Sequence, residues 1–278
     1  MNKSKKLKEL LNSEETLIIP DAYDPVSARL VEMAGFKAVQ CSGYSFSIAA
    51  VRPKEIDISR DENLEITRRM VDAVGVPVMA DAEDGYGDAM EVKRTVQAFM
   101  DAGVAGLNLE DQLLDGSHGV SIISSEAMVE KIRVAKETTE SENPDFIINA
   151  RTDALKSLDN REDALNLAAE RANQYLDAGA DLTFAPYVET IEEVKTLKKE
   201  VKGPLSVAAG MPYNIKNFSI TDLEDLGVER VSLPTLLIYS SLKAIKNSLN
   251  HIEKDSLMEL DDKDLLYDIK DLKDLIRL

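Results

Sequence analysis

The sequence predicts an α/β protein folded as a closed (β/α)8 TIM barrel with a C-terminal helical extension. Three features predict it: eight short apolar runs, helical patterns between them, and a first turn without glycine. The runs are LIIP (17–20), KAVQC (37–41), PVMA (77–80), AGLNL (105–109), FIINA (146–150), DLTFA (181–185), PLSVA (204–208) and ERVSL (229–233). Short strands that are apolar throughout suit a parallel sheet covered on both faces. Eight strand–helix units in about 250 residues is the count of that barrel. A doubly wound open sheet usually has fewer strands and a glycine-rich first turn. Here the turn after LIIP reads DAYDP.

The start, MNKSKKLKELLNSEETLIIP, reads as an amphipathic helix leading into the first strand. It lacks the apolar stretch of a signal peptide, and no segment approaches the ~20 apolar residues of a membrane helix, so a cytoplasmic location is expected. DPVSARLVEMAG, DENLEITRRMVDAVG, AMEVKRTVQAFMDAG and REDALNLAAERANQYLDAG are helical patterns that close on glycine, the usual C-terminal stop. No repeat and no Pro/Gly/Ser linker divides the chain, so one domain is expected over residues 1–278. The eighth barrel helix is expected at about 235–252. From Glu253 onward the chain is charged, with Leu265, Ile269, Leu272 and Ile276 at helical spacing. This appendage, about 253–278, must pack on the barrel exterior or on another subunit.

Composition narrows the function. With 278 residues, 44% hydrophobic and 30% charged, the chain can form a soluble core. Its 33 basic and 51 acidic residues give a net charge of −18. Such a charge repels phosphate backbones and anionic membranes, so neither nucleic acid nor membrane is the expected partner. A small anionic ligand remains compatible where a metal ion or an arginine inverts the local field. One cysteine, Cys41, excludes an intramolecular disulfide and a multi-cysteine zinc site, and two histidines, His118 and His251, exclude a His-rich one. Any metal is therefore a hard cation held by oxygen.

In such a barrel the chemistry sits at the C-terminal ends of the strands. ADAEDGYGD follows the third run and supplies Asp81, Glu83 and Asp84; LEDQ follows the fourth with Glu110 and Asp111. NARTDA supplies Arg151 and Asp153 after the fifth, and SGYS after the second offers small residues whose amides can point at a ligand. Acids gathered at one mouth repel one another unless a cation neutralises them, and Mg²⁺ is the natural choice. Asp84, Asp88 and Asp111 read as solvent-facing or helix-capping, Cys41 as a small buried hydrophobe, and His118 as a loop histidine ahead of a catalyst. Tyr44 could pack or contact a ligand, and the polar stretch at 211–217 carries no decodable signal.

SGYS (42–45), VPVMADAEDGYGD (76–88), GVAGLNLEDQ (103–112), INARTDA (148–154), AGAD (178–181) and LGVERVS (226–232) together resemble the isocitrate lyase/phosphoenolpyruvate mutase superfamily, in its order and over nearly the whole chain. The resemblance implies a barrel whose eighth helix is swapped between paired subunits, usually in tetramers, here a dimer of helix-swapped dimers. It implies Mg²⁺, with Mn²⁺ as a substitute, and a small carboxylate substrate: a 2-oxo acid, its enolate or a 2-hydroxy-tricarboxylate. Carried over by position, Asp81 resembles the direct metal ligand, and Glu83 and Glu110 its partners through water. Arg151 resembles the arginine that holds a substrate carboxylate; Ser42, Gly43 and Tyr44 resemble the turn that binds carboxylate and carbonyl. Arg151, Glu110, His118 and Tyr44 form the candidate catalytic set.

Two departures shape the expected function. Isocitrate and methylisocitrate lyases carry a cysteine-bearing loop after the LEDQ strand; here that loop reads LLDGSHGVSI (113–122), without cysteine or lysine. Isocitrate cleavage is therefore not expected, and a relay through His118 would have to replace the cysteine. The leading expectation is a Mg²⁺-dependent lyase breaking a C–C bond in an oxaloacetate-like acid through an enolate. The alternatives are phosphonopyruvate hydrolase or phosphoenolpyruvate mutase chemistry, and a non-catalytic 2-oxo-acid-binding homologue. The second departure is Lys54 of VRPKEID, which aligns where relatives carry aspartate, with Glu55 and Asp57 beside it. Either the lysine faces the site, or one of these acids takes the aspartate's place.

Overall fold

The computed structural model describes residues 2–113 and 120–276. Helix α1 (Lys3–Leu11) precedes β1 (Leu17–Ala22), α2 (Pro25–Met33), β2 (Val39–Cys41), α3 (Gly43–Ala49), α4 (Arg60–Ala73) and β3 (Val78–Asp81). Then come α5 (Ala89–Asp101), β4 (Gly106–Glu110), α6 (Ser125–Glu142), β5 (Ile147–Arg151), α7 (Ala154–Ser157), α8 (Arg161–Asp177), β6 (Leu182–Ala185), α9 (Ile191–Glu200) and β7 (Leu205–Ala208). The chain continues through α10 (Ile220–Asp225), β8 (Arg230–Leu233), α11 (Leu236–Glu253), α12 (Met258–Asp262) and α13 (Ile269–Leu275). All strand pairs are parallel, and β1 pairs with both β2 and β8, closing the barrel in sequence order. Each of the eight apolar runs overlaps one of these strands, four of which extend one or two residues past the run.

The helices start where their caps dictate. Asp24 accepts the amide of Ser27 ahead of Pro25, which sits in the first turn of α2, where a missing N–H costs nothing. Ser59 with Glu62, and Thr190 with Glu193, form capping boxes on α4 and α9. At the other end, Gly179 follows α8 at φ +108°, a backbone state that side chains resist.

One mouth of the barrel is closed and the other open. Leu7 of α1 is buried against Leu17, Ile19, Met79, Ile147 and Leu182, which plugs the N-terminal end. Nearer the C-terminal mouth the interior turns polar. Arg230, fully buried, donates to Ser206 Oγ at 2.7 Å and to Gln40 Oε1 at 2.5 Å, and Asn149 donates to Asn108 Oδ1 at 2.7 Å. Burial pulls Arg230 down to about 10, against the pull of Asp21 and Asp81.

The eighth barrel helix, α11, leaves most of its apolar face uncovered. Ile238 is buried, whereas Leu242, Ile245, Leu249 and Ile252 are 46–58% exposed. Beside it an apolar groove of about 380 Å³, lined by Tyr23, Val26, Leu30, Phe36, Leu233 and Leu237, lies open. The tail returns to the barrel exterior: Arg29 of α2 donates to Asp274 O at 3.3 Å. Leu265, Ile269, Leu272 and Ile276 remain 43–81% exposed.

Candidate active site

The barrel register assembles the site. Parallel pairing sets Asp81 of β3 beside Asn108, and Glu110 of β4 beside Arg151 of β5. Carboxylate oxygens of Asp81, Glu83 and Glu110 lie within 4.8 Å of one another, all buried. Glu83 reaches the cluster from a left-handed backbone, φ +51°, a strain of about 1–3 kcal/mol of the kind that active sites store. Gly43 makes room for it: a Cβ there would sit 1.6 Å from Glu83 Oε1.

Three carboxyls in so little water cannot all stay charged without compensation. Burial, then Asp81, Glu55 and Glu110, hold Glu83 well above the ordinary carboxylate range. Burial also lifts Glu110 and Asp81, against the pull of Arg151. Asp81 Oδ1 and Glu110 Oε1 are buried acceptors with no hydrogen-bond partner. Orphaned oxygens of this kind fit a hard divalent cation. The chemistry of the donor set suits Mg²⁺, and Asp81 alone of the three lines the open pocket.

Arg151 is braced from two sides. Its Nε and Nη2 donate to Asp153 Oδ1 and Oδ2 at 2.7 and 2.9 Å, and Nη1 lies 2.7 Å from Glu110 Oε2. Burial opposes its charge, but Asp153 and Glu110 hold its pKa well above the usual value. Asp153 is held in turn, because its backbone amide donates to Asp111 Oδ1 at 2.9 Å.

The pocket, a cavity of about 370 Å³, includes Ser42, Tyr44, Asp81 and Arg151 among its lining. The structure thus brings together the predicted Asp81, Glu83, Glu110, Arg151, Ser42, Gly43 and Tyr44. Inside the turn, the Gly43 amide donates to Asp81 Oδ2 at 3.1 Å and the Ser45 amide to Ser42 Oγ at 3.2 Å. The Tyr44 phenol faces Tyr239, which raises its pKa, with burial adding to the effect. His118 lies outside the described residues.

One open choice is decided and one expectation is corrected. Lys54 does not line the pocket: it is exposed, and its backbone amide donates to Asp57 Oδ2 at 3.1 Å. Glu55 lines the pocket instead, its pKa pushed up to about 7 by burial, against Arg151. The chain from Glu55 to Asp57 turns as a 3-10 helix. Asp111 is not a surface acid. It is fully buried, accepting from Arg171 Nη1 at 3.0 Å and Tyr175 Oη at 2.6 Å. Asp88 does cap a helix, α5, and Cys41 is buried, its thiol pushed up to about 12 by burial.

Other lining residues escaped the sequence. Asp21, at the end of β1, accepts from Ser232 Oγ at 2.7 Å and is lifted to about 7 by burial. Its position after LIIP marks a strand end and was the available signal. Met211, Pro212 and Tyr213 also face the pocket, from a stretch with no periodic pattern to read.

An eight-stranded barrel whose mouth gathers three buried acids around one braced arginine has the build of a barrel enzyme acting on small anions. The chain belongs to the phosphoenolpyruvate phosphomutase family, within the isocitrate lyase/phosphoenolpyruvate mutase superfamily that its motifs resemble; the family model matches residues 7–253. It is 35% identical over 263 residues to a 2,3-dimethylmalate lyase from Eubacterium barkeri, covering 92% of this chain and 88% of that one. A 2-methylisocitrate lyase from Aeropyrum pernix is 32% identical over 275 residues, 97% and 86% of the two chains. Among solved structures, a phosphonopyruvate hydrolase in complex with oxalate and Mg²⁺ aligns with a TM-score of 0.86 at 26% identity, covering 99% of this chain and 95% of that one.

Proposed function

We propose that the protein is a Mg²⁺-dependent lyase that cleaves a carbon–carbon bond in a small 2-oxo or 2-hydroxy carboxylic acid, oxaloacetate-like acids first. The observation that carries the reading is the pair of buried acceptors without partners, Asp81 Oδ1 and Glu110 Oε1, beside Arg151. Asp81 would hold the ion directly, with Glu83 and Glu110 reaching it through water. A divalent cation there supplies Lewis-acid polarisation of the substrate oxygens, and Mn²⁺ suits the same oxygen set.

The protein's own groups do the rest. Of the five N–H donors of Arg151, three face Asp153 and Glu110, and the remaining two are free for a substrate carboxylate. Because the Gly43 and Ser45 amides are engaged, the 42–45 turn contributes the Ser42 hydroxyl and Tyr44 to the ligand. In oxaloacetate the pair of the breaking C3–C4 bond becomes a C2=C3 double bond as the carbonyl pair moves onto the 2-oxo oxygen, giving the enolate of pyruvate while the far carboxylate leaves as CO2. The carbon end of that enolate then takes a proton, and Glu55, in the pocket with a pKa of about 7, is the group poised to give it.

The reading is tested by incubating the protein with Mg²⁺ and oxaloacetate, 2,3-dimethylmalate, 2-methylisocitrate or phosphonopyruvate while following pyruvate. Turnover of a C–C substrate supports it. Pyruvate from phosphonopyruvate alone would reassign the enzyme to C–P chemistry, and thermal stabilisation without any turnover would make it a binding protein.

The proposal extends to assembly and location. A homo-oligomer, a dimer of helix-swapped dimers, would cover the exposed face of α11 and the groove beside it. Among the described residues no helix is long and apolar enough to cross a membrane, and the proposed location is the cytoplasm.

A further inference from the structure

Away from the acids the pocket wall changes character. Phe184 and Pro186 at the end of β6, then Tyr187, and Tyr213 after β7, form an aromatic side. The two tyrosine rings stand 6.1 Å apart, tilted by 45°. Their frame is fixed by hydrogen bonds: Tyr213 Oη donates to Pro186 O at 2.8 Å, and Arg161 Nη2 donates to Tyr187 O at 2.6 Å. Asn214 Nδ2 donates to Val188 O and Ala208 O, both at 2.9 Å, tying the two loops together.

Lys156, from α7, reaches over this platform. Its Nζ lies 5.6 Å from the Tyr187 ring centroid and 5.7 Å from that of Tyr213, within the range where a ring attracts an ammonium. The Arg151 guanidinium stands 6.0 Å from the same Tyr187 centroid, so one ring is shared by the arginine of the site and the lysine at its rim. Lys156 is exposed, and among the described residues no carboxylate comes within ion-pair distance of it. In a chain of net charge −18, whose mouth gathers Glu55, Asp81, Glu83, Glu110 and Asp153, a cation stacked on two rings of the pocket wall offsets part of that charge. Both rings that hold it line the pocket, and its own side chain is exposed to solvent.

We infer that Lys156 is a specificity residue that takes the far carboxylate of a 2-oxo or 2-hydroxy dicarboxylate. The near carboxylate and C2 oxygen go to Arg151 and the acidic cluster, so this inference rests on the function proposed above. It narrows the substrate class to dicarboxylates, whose second charge a mouth this acidic would otherwise repel. A single ammonium matches the single charge of a carboxylate, whereas a phosphonyl dianion calls for further donors.

The test measures binding, with Mg²⁺ present, of two unreactive probes to the parent, Lys156→Met and Lys156→Arg by calorimetry. Oxalate spans only the inner site, and 3,3-difluorooxaloacetate adds the far carboxylate. Lys156→Met should weaken the longer probe about fivefold or more, leave oxalate unchanged, and be rescued by Lys156→Arg. With a turned-over dicarboxylate the same variant should raise KM without lowering kcat. Equal loss for both probes, or no loss for either, would overturn the role of Lys156. Tighter binding of phosphonopyruvate than of the difluoro acid to the parent would overturn the carboxylate assignment. Failure of oxalate to bind the parent would instead sink the underlying metal-site reading, a separate result.

Discussion

Arg151 and Asp153, two positions apart at the end of β5, form a two-point ion pair, Nε to Oδ1 at 2.7 Å and Nη2 to Oδ2 at 2.9 Å. Asp153 is fully buried, and its amide is in turn held by Asp111, which Arg171 and Tyr175 of α8 fix in place. The guanidinium is therefore aimed by a chain of contacts that reaches the outer ring of helices. Asp153→Asn keeps the shape and removes the charge. Breaking a buried pair costs ~3 kcal/mol or more, so Tm should fall by roughly 6–10 °C. Misplacing the substrate carboxylate should cost about 100-fold in kcat. A variant with parental kcat would show that the orientation of Arg151 does not matter to the reaction.

Asp81→Ala should abolish both Mg²⁺ binding and metal-dependent turnover, because Asp81 is the one acid of the cluster that lines the open pocket. Calorimetric titration with Mg²⁺ reads the first effect without any substrate. A variant that binds the ion and turns over as the parent does would move the metal site elsewhere.

The raised carboxyls set a pH dependence of stability. Glu83 and Glu110 are held well above the ordinary range, and Asp21 and Glu55 at about 7, so the native state binds protons that the unfolded chain has released. Where the native state holds more protons, stability falls as pH rises. The metal-free protein should lose Tm from about pH 5 to pH 8, across the interval between unfolded and folded values. Mg²⁺ needs the deprotonated acids, so the Tm gain it gives should grow over the same interval. A flat metal-free profile would contradict the buried, charged cluster.

At the 52–58 loop the structure separates two neighbours. Lys54→Met should leave KM for dicarboxylate and monocarboxylate 2-oxo acids within about twofold of the parent, as an exposed side chain outside the pocket predicts. Glu55→Gln should lower kcat by about 100-fold and remove a limb near pH 7 from the rate profile. Reversed results would return the lysine to the site.

That loop also shows how far the sequence could be read. The strands were legible because both faces of each are buried, which forces an apolar run, and the acids were legible because they end those runs. At Lys54, Glu55 and Asp57 the sequence left the choice open, because a loop offers no period that fixes which side chain turns inward; Glu55 is the one that lines the pocket. Asp111 looked like a surface acid because the partners that bury it, Arg171 and Tyr175, lie 60 and 64 residues along the chain. Tyr187, Tyr213 and Lys156 meet only through the packing of two loops and the short helix α7, which no local pattern encodes.

The last prediction concerns α11. Ile238, Leu242, Ile245, Leu249 and Ile252 recur at alternating spacings of four and three, the seam of a helix that packs along its whole length. Only Ile238 is buried. Fully burying one such side chain contributes about 1.5–3 kcal/mol, so four left in water are a strong drive to associate. The groove beside α11, lined by Tyr23, Val26, Leu30, Phe36, Leu233 and Leu237, is apolar and open. A second copy that lays its own α11 across this surface buries both features at once, and the two-fold exchange closes without leaving a free face. Light scattering at micromolar concentration should therefore report an even-numbered oligomer. The double variant Ile245→Glu, Leu249→Glu should shift it toward monomer while circular dichroism keeps the helical signal. A parent that scatters as a monomer, or a double variant that keeps the parental mass, would overturn assembly through α11.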